Sequence, residues 1–252
     1  MNLKSILITG AGKRIGRQLA LDLAGDGWDV AVHCNHSAAE GTAVAELIRA
    51  KGRRAVVVLG DLADAHVAEK LFAQTASGLG PLTALINNAS MFESDEVGNI
   101  SVEGWQRQLD VNLRAPVMLA QAFARQLPAG ESGNIINLID QRVWKLNPQF
   151  FSYTISKSGL WTATRTLAQA LAPHIRVNAI GPGPALPSIR MEDEDFEKQK
   201  SRTLLGIGTS PAEISQAVTF LLSQPAITGQ MIALDGGQHL VWQTADVVGV
   251  KE

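Results

Sequence analysis

The sequence predicts a single doubly wound α/β domain, a seven-stranded parallel sheet with helices on both faces. Three observations carry that prediction. Short β-rich runs alternate with helix-forming stretches along all 252 residues. The runs are apolar nearly throughout rather than at every second position, the mark of strands buried on both faces. No linker, repeat or low-complexity segment divides the chain, so residues 1–252 are read as one domain.

The elements follow in order. "SILIT" (5–9) is the first strand, and a glycine turn leads into a helical stretch ending at "GDG" (25–27). "WDVAVHC" (28–34) is the second strand; Ser37 is placed to cap the helix that follows. "RAVVVLGDL" (54–62) and "LTALINNAS" (82–90) are strands three and four, separated by a helix over 65–80. A long helical region covers 101–127, and "GNIINLI" (133–139) is strand five. A helix over 150–173 leads to "IRVNAIGPG" (175–183), strand six. An irregular charged segment, a helix over 211–223 and the strand "MIALDGG" (231–237) complete the pattern.

Composition narrows the function. Lys plus Arg is 22 and Asp plus Glu is 24, a net charge of −2, which removes the electrostatic case for nucleic acid or anionic membrane as a partner. The apolar run near the N-terminus is too short for a signal peptide, and nothing approaches the length of a membrane span. The single cysteine, Cys34, has no internal disulfide partner. A cytoplasmic protein is expected. No metal site is expected either, because His33, Cys34 and His36 lack further ligands to complete a set of four.

"TGAGKRIG" (9–16) lies where strand one meets helix one. Gly10 allows a tight turn and Gly16 close helix–sheet packing, and the helix N-terminus offers free N–H groups and a positive dipole end to a phosphate. This position points to a dinucleotide. The end of strand two, "HCNHS" (33–37), lacks the acid that usually holds an NAD ribose, while Lys13 and Arg14 supply nearby cations. That combination favours NADPH. Further on, "YTISK" places Tyr153, the only tyrosine, four residues before Lys157, on one helix face, as an acid–base pair. Thirteen residues before Tyr153 stands Asp140.

In family order, "TGAGKRIG", "GDL" (60–62), "NNAS" (87–90), "DVN" (110–112), "YTISK", "GPG" (181–183) and "LDGG" (234–237) make the chain resemble the short-chain dehydrogenase/reductase family over essentially its whole length. The resemblance implies a Rossmann fold. It implies that Gly10, Lys13, Arg14, Ile15 and Gly16 cradle the cofactor, that Asp61 and Leu62 flank adenine, and that Asn88, Ala89 and Ser90 lie along the cofactor. It implies further that Pro182 and Gly183 border the nicotinamide, that Lys157 holds its ribose, and that Asn112 supports a water relay. Three positions depart from the common pattern: Arg14 replaces a glycine, Ser90 a glycine and Asp140 the catalytic serine. Together with Phe92 these look like the pteridine reductase branch. The segment 33–40 looks like that branch's 2′-phosphate site, with His33, Asn35, His36 and Ser37. The C-terminal third is most similar to bacterial dihydromonapterin reductases.

The expected reaction is therefore NADPH-dependent reduction of a dihydropterin or dihydrofolate. Arg14, Ser90, Phe92, Asp140 and Tyr153 would face the substrate, with Phe92 stacking on a planar heterocycle. An ionised Asp140 keeps Tyr153 protonated; a protonated Asp140 is itself a donor. The plain alternatives are that Asp140 only caps the next segment, that Phe92 is core, and that Arg14 touches phosphate alone. The competing functions are a reductase of small carbonyl compounds and a non-catalytic NADP(H) sensor. "EDEDFEK" (192–198) reads as a solvated face, or as part of a substrate lid over 184–210. Trp144, Trp161 and Trp242 read as core or interface, and a homotetramer is expected by family resemblance.

Overall fold

The computed structural model describes residues 4–187, 191–244 and 247–249. Residues 188–190 of the expected lid lie outside the described residues. The strands are β1 (Ser5–Ile8), β2 (Asp29–Cys34), β3 (Ala55–Leu59), β4 (Ala84–Asn87), β5 (Gly133–Leu138), β6 (Ile175–Pro182) and β7 (Met231–Leu234). They form one sheet in the order β3-β2-β1-β4-β5-β6-β7, with every neighbouring pair parallel. This is the doubly wound Rossmann arrangement that the sequence predicts. β1, β2 and β4 are buried at every position, because helices cover both faces.

One face carries α1 (Arg14–Gly25), α2 (Ala38–Ala50) and α8 (Pro211–Ser223), which pack Leu19, Leu23, Ile48, Val218 and Leu221 on Ile6, Ile8 and Val32. The other carries α3 (Val67–Leu79), α5 (Ala115–Gln126) and α6 (Phe151–Leu171), which cover Leu7, Leu85 and Ile135. Arg176 reaches from β6 to the carbonyls of Leu221, Leu222 and Ile227, satisfying the open C-terminal end of α8.

Two stretches differ from expectation. The helical region 101–127 is not one helix. It divides into α4 (Val102–Leu109), a π-helical turn at Asp110–Arg114, and α5. Pro116 lacks an N–H and cannot continue the regular ladder at the start of α5. The wider turn also brings Asn112 inward, where it is fully buried. The charged segment after β6 is not irregular throughout, since α7 (Asp193–Ser201) forms within it. No residue of α7 is buried, so apolar periodicity cannot reveal it. Its support is electrostatic: Asp193, Glu194 and Asp195 occupy the first turn, Lys198 and Lys200 the last, and Lys198 pairs with Glu194 at 3.0 Å.

Strands β1 and β4 are neighbours in the sheet, but their following helices lie on opposite faces. A crevice therefore opens at their carboxyl ends, where doubly wound folds bind ligands. The core beneath is conventional. Phe123 of α5 is fully buried and lies against Gly133 of β5, where an added Cβ would meet the ring at 2.8 Å. We expect Phe123→Ala to lower unfolding stability by about 3–5 kcal/mol, read from urea denaturation midpoints, because the sheet cannot collapse into the space left.

Candidate active site

The turn after β1 is built without room for side chains. Gly10 has φ +64°, and a Cβ on Gly16 would fall 2.2 Å from the Gly10 carbonyl oxygen. Asn88 fastens the turn from β4, donating from Nδ2 to the Thr9 carbonyl at 2.8 Å, while Thr9 Oγ1 accepts the amide hydrogens of Asn88 and Ala89. Helix α1 starts here with no side chain capping its amides and no acid in its first turn. Its N-terminal N–H groups and dipole thus face the crevice free of competing anions from their own helix.

Two cavities line the crevice and meet at Ser90 and Phe92, which border both. The outer one, about 370 Å³, is walled by Gly10, His33, Asn35, Asp61, Leu62 and Ala89. The inner one, about 620 Å³, holds Arg14, Asp140, Tyr153, Lys157, Pro182 and Gly183 among its walls. An elongated ligand with a phosphate bridge at the turn fits this pair of chambers, and the donor set suits a dinucleotide: a glycine turn, a bare helix N-terminus and a buried lysine. Ser37 stands at the N-cap of α2 without making a capping bond.

Asp140 and Tyr153 form the centre of the inner chamber. The Tyr153 hydroxyl donates to Asp140 Oδ2 at 3.0 Å. The other oxygen, Oδ1, accepts the Arg142 amide at 2.8 Å and caps the 3-10 turn Gln141–Val143. The capping role and the site role thus coexist, one oxygen each. Lys157 lies one turn beyond Tyr153 on α6 and donates from Nζ to the Leu138 carbonyl at 2.8 Å. Burial shifts all three groups towards their neutral forms. It raises the Asp140 carboxyl, against the Arg142 amide and the charges of Arg142 and Lys157. It raises the Tyr153 phenol well above 10, aided by the Asp140 charge. It lowers the Lys157 ammonium to about 8. Tyr153 is therefore an un-ionised proton donor at neutral pH.

Other predicted residues take more specific places. Arg14 has φ +51°, lines the inner chamber and donates to the Pro187 carbonyl at 2.9 Å. Lys13 is paired with Glu40 at 2.6 Å, both side chains being exposed. Asn112 does not bond Lys157. Its amide accepts the Met91 N–H and donates to the Met91 carbonyl and Ser156 Oγ, which makes it the support of the 90–92 turn. Asp61 accepts the Ala63 amide and pairs with Arg107 at 3.2 Å. His36 is exposed, whereas His33 is buried with both ring nitrogens bonded. Ile15 and Leu62 supply apolar wall.

Phe92 is not core: it is 38 % exposed. Its ring stacks on Phe150 at 4.2 Å with a 6° tilt and meets Tyr153 edge-on at 4.7 Å. Phe150 is a wall residue that the sequence reading missed. Its signal is conformational, a φ of +55° at the N-cap of α6, and residue patterns do not carry it. Gln238 was also missed; it lines the inner chamber with its Oε1 buried and unpaired. Trp144 packs on His239 and Trp161 beside this wall.

The model of the short chain dehydrogenases matches residues 4–198. The chain belongs to the short chain dehydrogenase family. Its similarity to the crystal structure of "FolM Alternative dihydrofolate reductase 1" from Brucella canis, complexed with NADP, is 50% identity with a TM-score of 0.94, over 97% of each chain. It is 33% identical to the 3-oxoacyl-[acyl-carrier-protein] reductase FabG of Staphylococcus aureus, over 94% of this chain and 98% of the relative. It is also 34% identical to the short-chain dehydrogenase/reductase eriH of Hericium erinaceus, over 92% of this chain and 96% of the relative. Membership in the short chain dehydrogenases makes the protein an oxidoreductase. Arg14, Ser90 and Asp140, the three departures from the common pattern, all border the inner chamber, as does Phe92. Among the described residues no group of three His, Cys, Asp or Glu side chains is placed to hold a metal, and no helix is long and apolar enough to cross a membrane.

Because Tyr153 is the only tyrosine, its phenolate absorbance reports this site alone. Removing the neighbouring negative charge favours tyrosinate. Asp140→Asn should therefore move the onset of phenolate absorbance to lower pH than in wild type, where ionisation is held well above 10. An unchanged onset would show that Asp140 does not control the phenol.

Proposed function

We propose that the protein is an NADPH-dependent reductase of a pteridine, acting on a dihydropterin or dihydrofolate. The observation that carries this reading is the buried Asp140–Tyr153 pair, 3.0 Å apart, with the partly exposed Phe92 ring edge-on to Tyr153 at 4.7 Å. A carboxyl beside the donor phenol suits a basic ring nitrogen, whereas an anion there repels the oxygen of a carbonyl substrate. The similarity to an alternative dihydrofolate reductase crystallised with NADP supports both substrate class and cofactor.

The Gly10–Gly16 turn and the N-terminus of α1 would hold the diphosphate. Asn35, His36 and Ser37 would face the 2′-phosphate, Asp61 and Leu62 the adenine, and Asn88–Ser90, Lys157, Pro182 and Gly183 the nicotinamide half. The bound cofactor supplies a hydride to a substrate carbon. Tyr153 Oη delivers a proton to the adjoining ring nitrogen, and Asp140 hydrogen-bonds the phenol and keeps it protonated until then. Lys157 keeps positive charge near the pair at neutral pH, since its value of about 8 still lies above it. Phe92 orients the flat ring by stacking, and of the expected lid the described residues 184–187 and 191–210 close over it. The protein assembles as a homotetramer.

Replacement of Asp140 by Ser tests the reading. With NADPH and a dihydropterin, kcat/KM should fall by about 10²–10⁴-fold, while a 3-oxoacyl or simple ketone substrate gains or holds its rate. Tyr153→Phe should abolish turnover while NADPH still binds, as followed by cofactor fluorescence. If wild type consumes NADPH with a ketone but not with a dihydropterin, the protein is a carbonyl reductase.

A further inference from the structure

His33 is buried, and its bonds account for both ring nitrogens. Nδ1 faces the Gly10 amide at 3.2 Å, and Nε2 faces the Gly60 carbonyl at 3.0 Å. An amide can only donate and a carbonyl only accept, which fixes the ring as the neutral tautomer with hydrogen on Nε2. The ring thus ties the turn after β1 to the end of β3 across β2. That turn is the one that receives the phosphate. Resting on the NADPH reading above, we propose that His33 is a positioning residue for the cofactor: its neutral ring holds the Gly10 turn in its phosphate-accepting shape, and a proton on Nδ1 releases the turn.

This role differs from contact with the 2′-phosphate, which the sequence resemblance implies. A cationic histidine would attract that phosphate directly. Here the cation is the form that fails, because Nδ1–H would confront the Gly10 N–H, donor against donor.

The charged groups facing the ring are few. Asp61 follows Gly60 and favours the cation, but its carboxylate is already shared with Arg107 and the Ala63 amide. On the α1–α2 side, Lys13 and Glu40 neutralise one another. Burial outweighs the Gly60 carbonyl and Asp61 and lowers the ring below its ordinary 6.5. The sign follows from that direction. A lowered value means that the folded, cofactor-ready turn binds fewer protons than the released one, so the turn is intact above about 6.5 and is lost as pH falls through the lowered value.

The test measures NADPH affinity by fluorescence against pH for the full-length wild type, His33→Phe and His33→Gln, with the thermal midpoint of each. Phe keeps the packing but no hydrogen bond. Gln can accept and donate but does not titrate. We expect Phe to weaken binding about tenfold at pH 7.5, the cost of losing the bond to the Gly10 amide, the one of the two lost bonds that bears on the turn. We expect Gln to restore most of it, with a shallower loss on acidification than wild type. The cofactor's own phosphate titration near about 6 is common to all three chains and cancels. In the cofactor-free wild type, the ¹⁵N imidazole spectrum should show His33 as the Nε2–H tautomer at pH 7.5.

A folded Phe variant that binds like wild type overturns the proposal. So does a Gln variant with the full wild-type acid dependence, or a His33 ring that is protonated or carries its hydrogen on Nδ1. If Phe does not fold, the Gln comparison and the ring spectrum still decide. A wild type that does not bind NADPH at any pH overturns the cofactor reading itself, which the other outcomes leave standing.

Discussion

A carboxyl group held out of water against a phenol is the constraint on which this site depends. An isolated buried carboxylate is costly, and the group either finds partners or takes up a proton. Asp140 finds partners, and burial also raises its carboxyl towards the neutral form. One oxygen closes the turn after β5 and the other receives the Tyr153 hydroxyl, with Lys157 supplying charge from one turn away. The β5 end, the Gln141–Val143 turn and α6 are held in mutual position by these few bonds. Moving any of them would leave a buried polar group unpaired. The arrangement is rigid because the alternatives are expensive, and that rigidity aims the proton.

The rest of the molecule supports this pair at a distance. The helices that follow β1 and β4 lie on opposite faces of the sheet and so open the crevice. Asn88, Thr9 and Asn112 spend their side chains on backbone groups of the two turns that form its floor. They fix walls, whereas Asp140, Tyr153, Lys157 and the Phe92 ring face the space. Polar residues from this one sheet edge thus divide into those that shape the chamber and those that act in it.

Much of this is legible in the sequence, for physical reasons. Strands buried on both faces are apolar nearly throughout, so β1, β2 and β4 show directly. Tyr153 and Lys157 share a helix face at fixed spacing, and Gly10 and Gly16 stand where no side chain fits. What is hidden depends on pairs brought together by folding. Lys13 reads as a free cation until Glu40 is placed 2.6 Å away. Phe150 becomes a wall only through a left-handed backbone that stacks it on Phe92. The two backbone partners of His33, from the turn after β1 and the end of β3, appear only in the fold. Helix α7, held by charge rather than burial, carries no apolar signal at all.

The most direct measurement of the central claim is a crystal structure of the protein with NADP and a pterin analogue. The pterin ring is expected in the inner chamber, flat against Phe92, with its ring nitrogens within hydrogen-bond distance of Tyr153 Oη or Asp140 Oδ2. An analogue bound elsewhere, or one in the chamber whose nitrogens turn away from both groups, would contradict it.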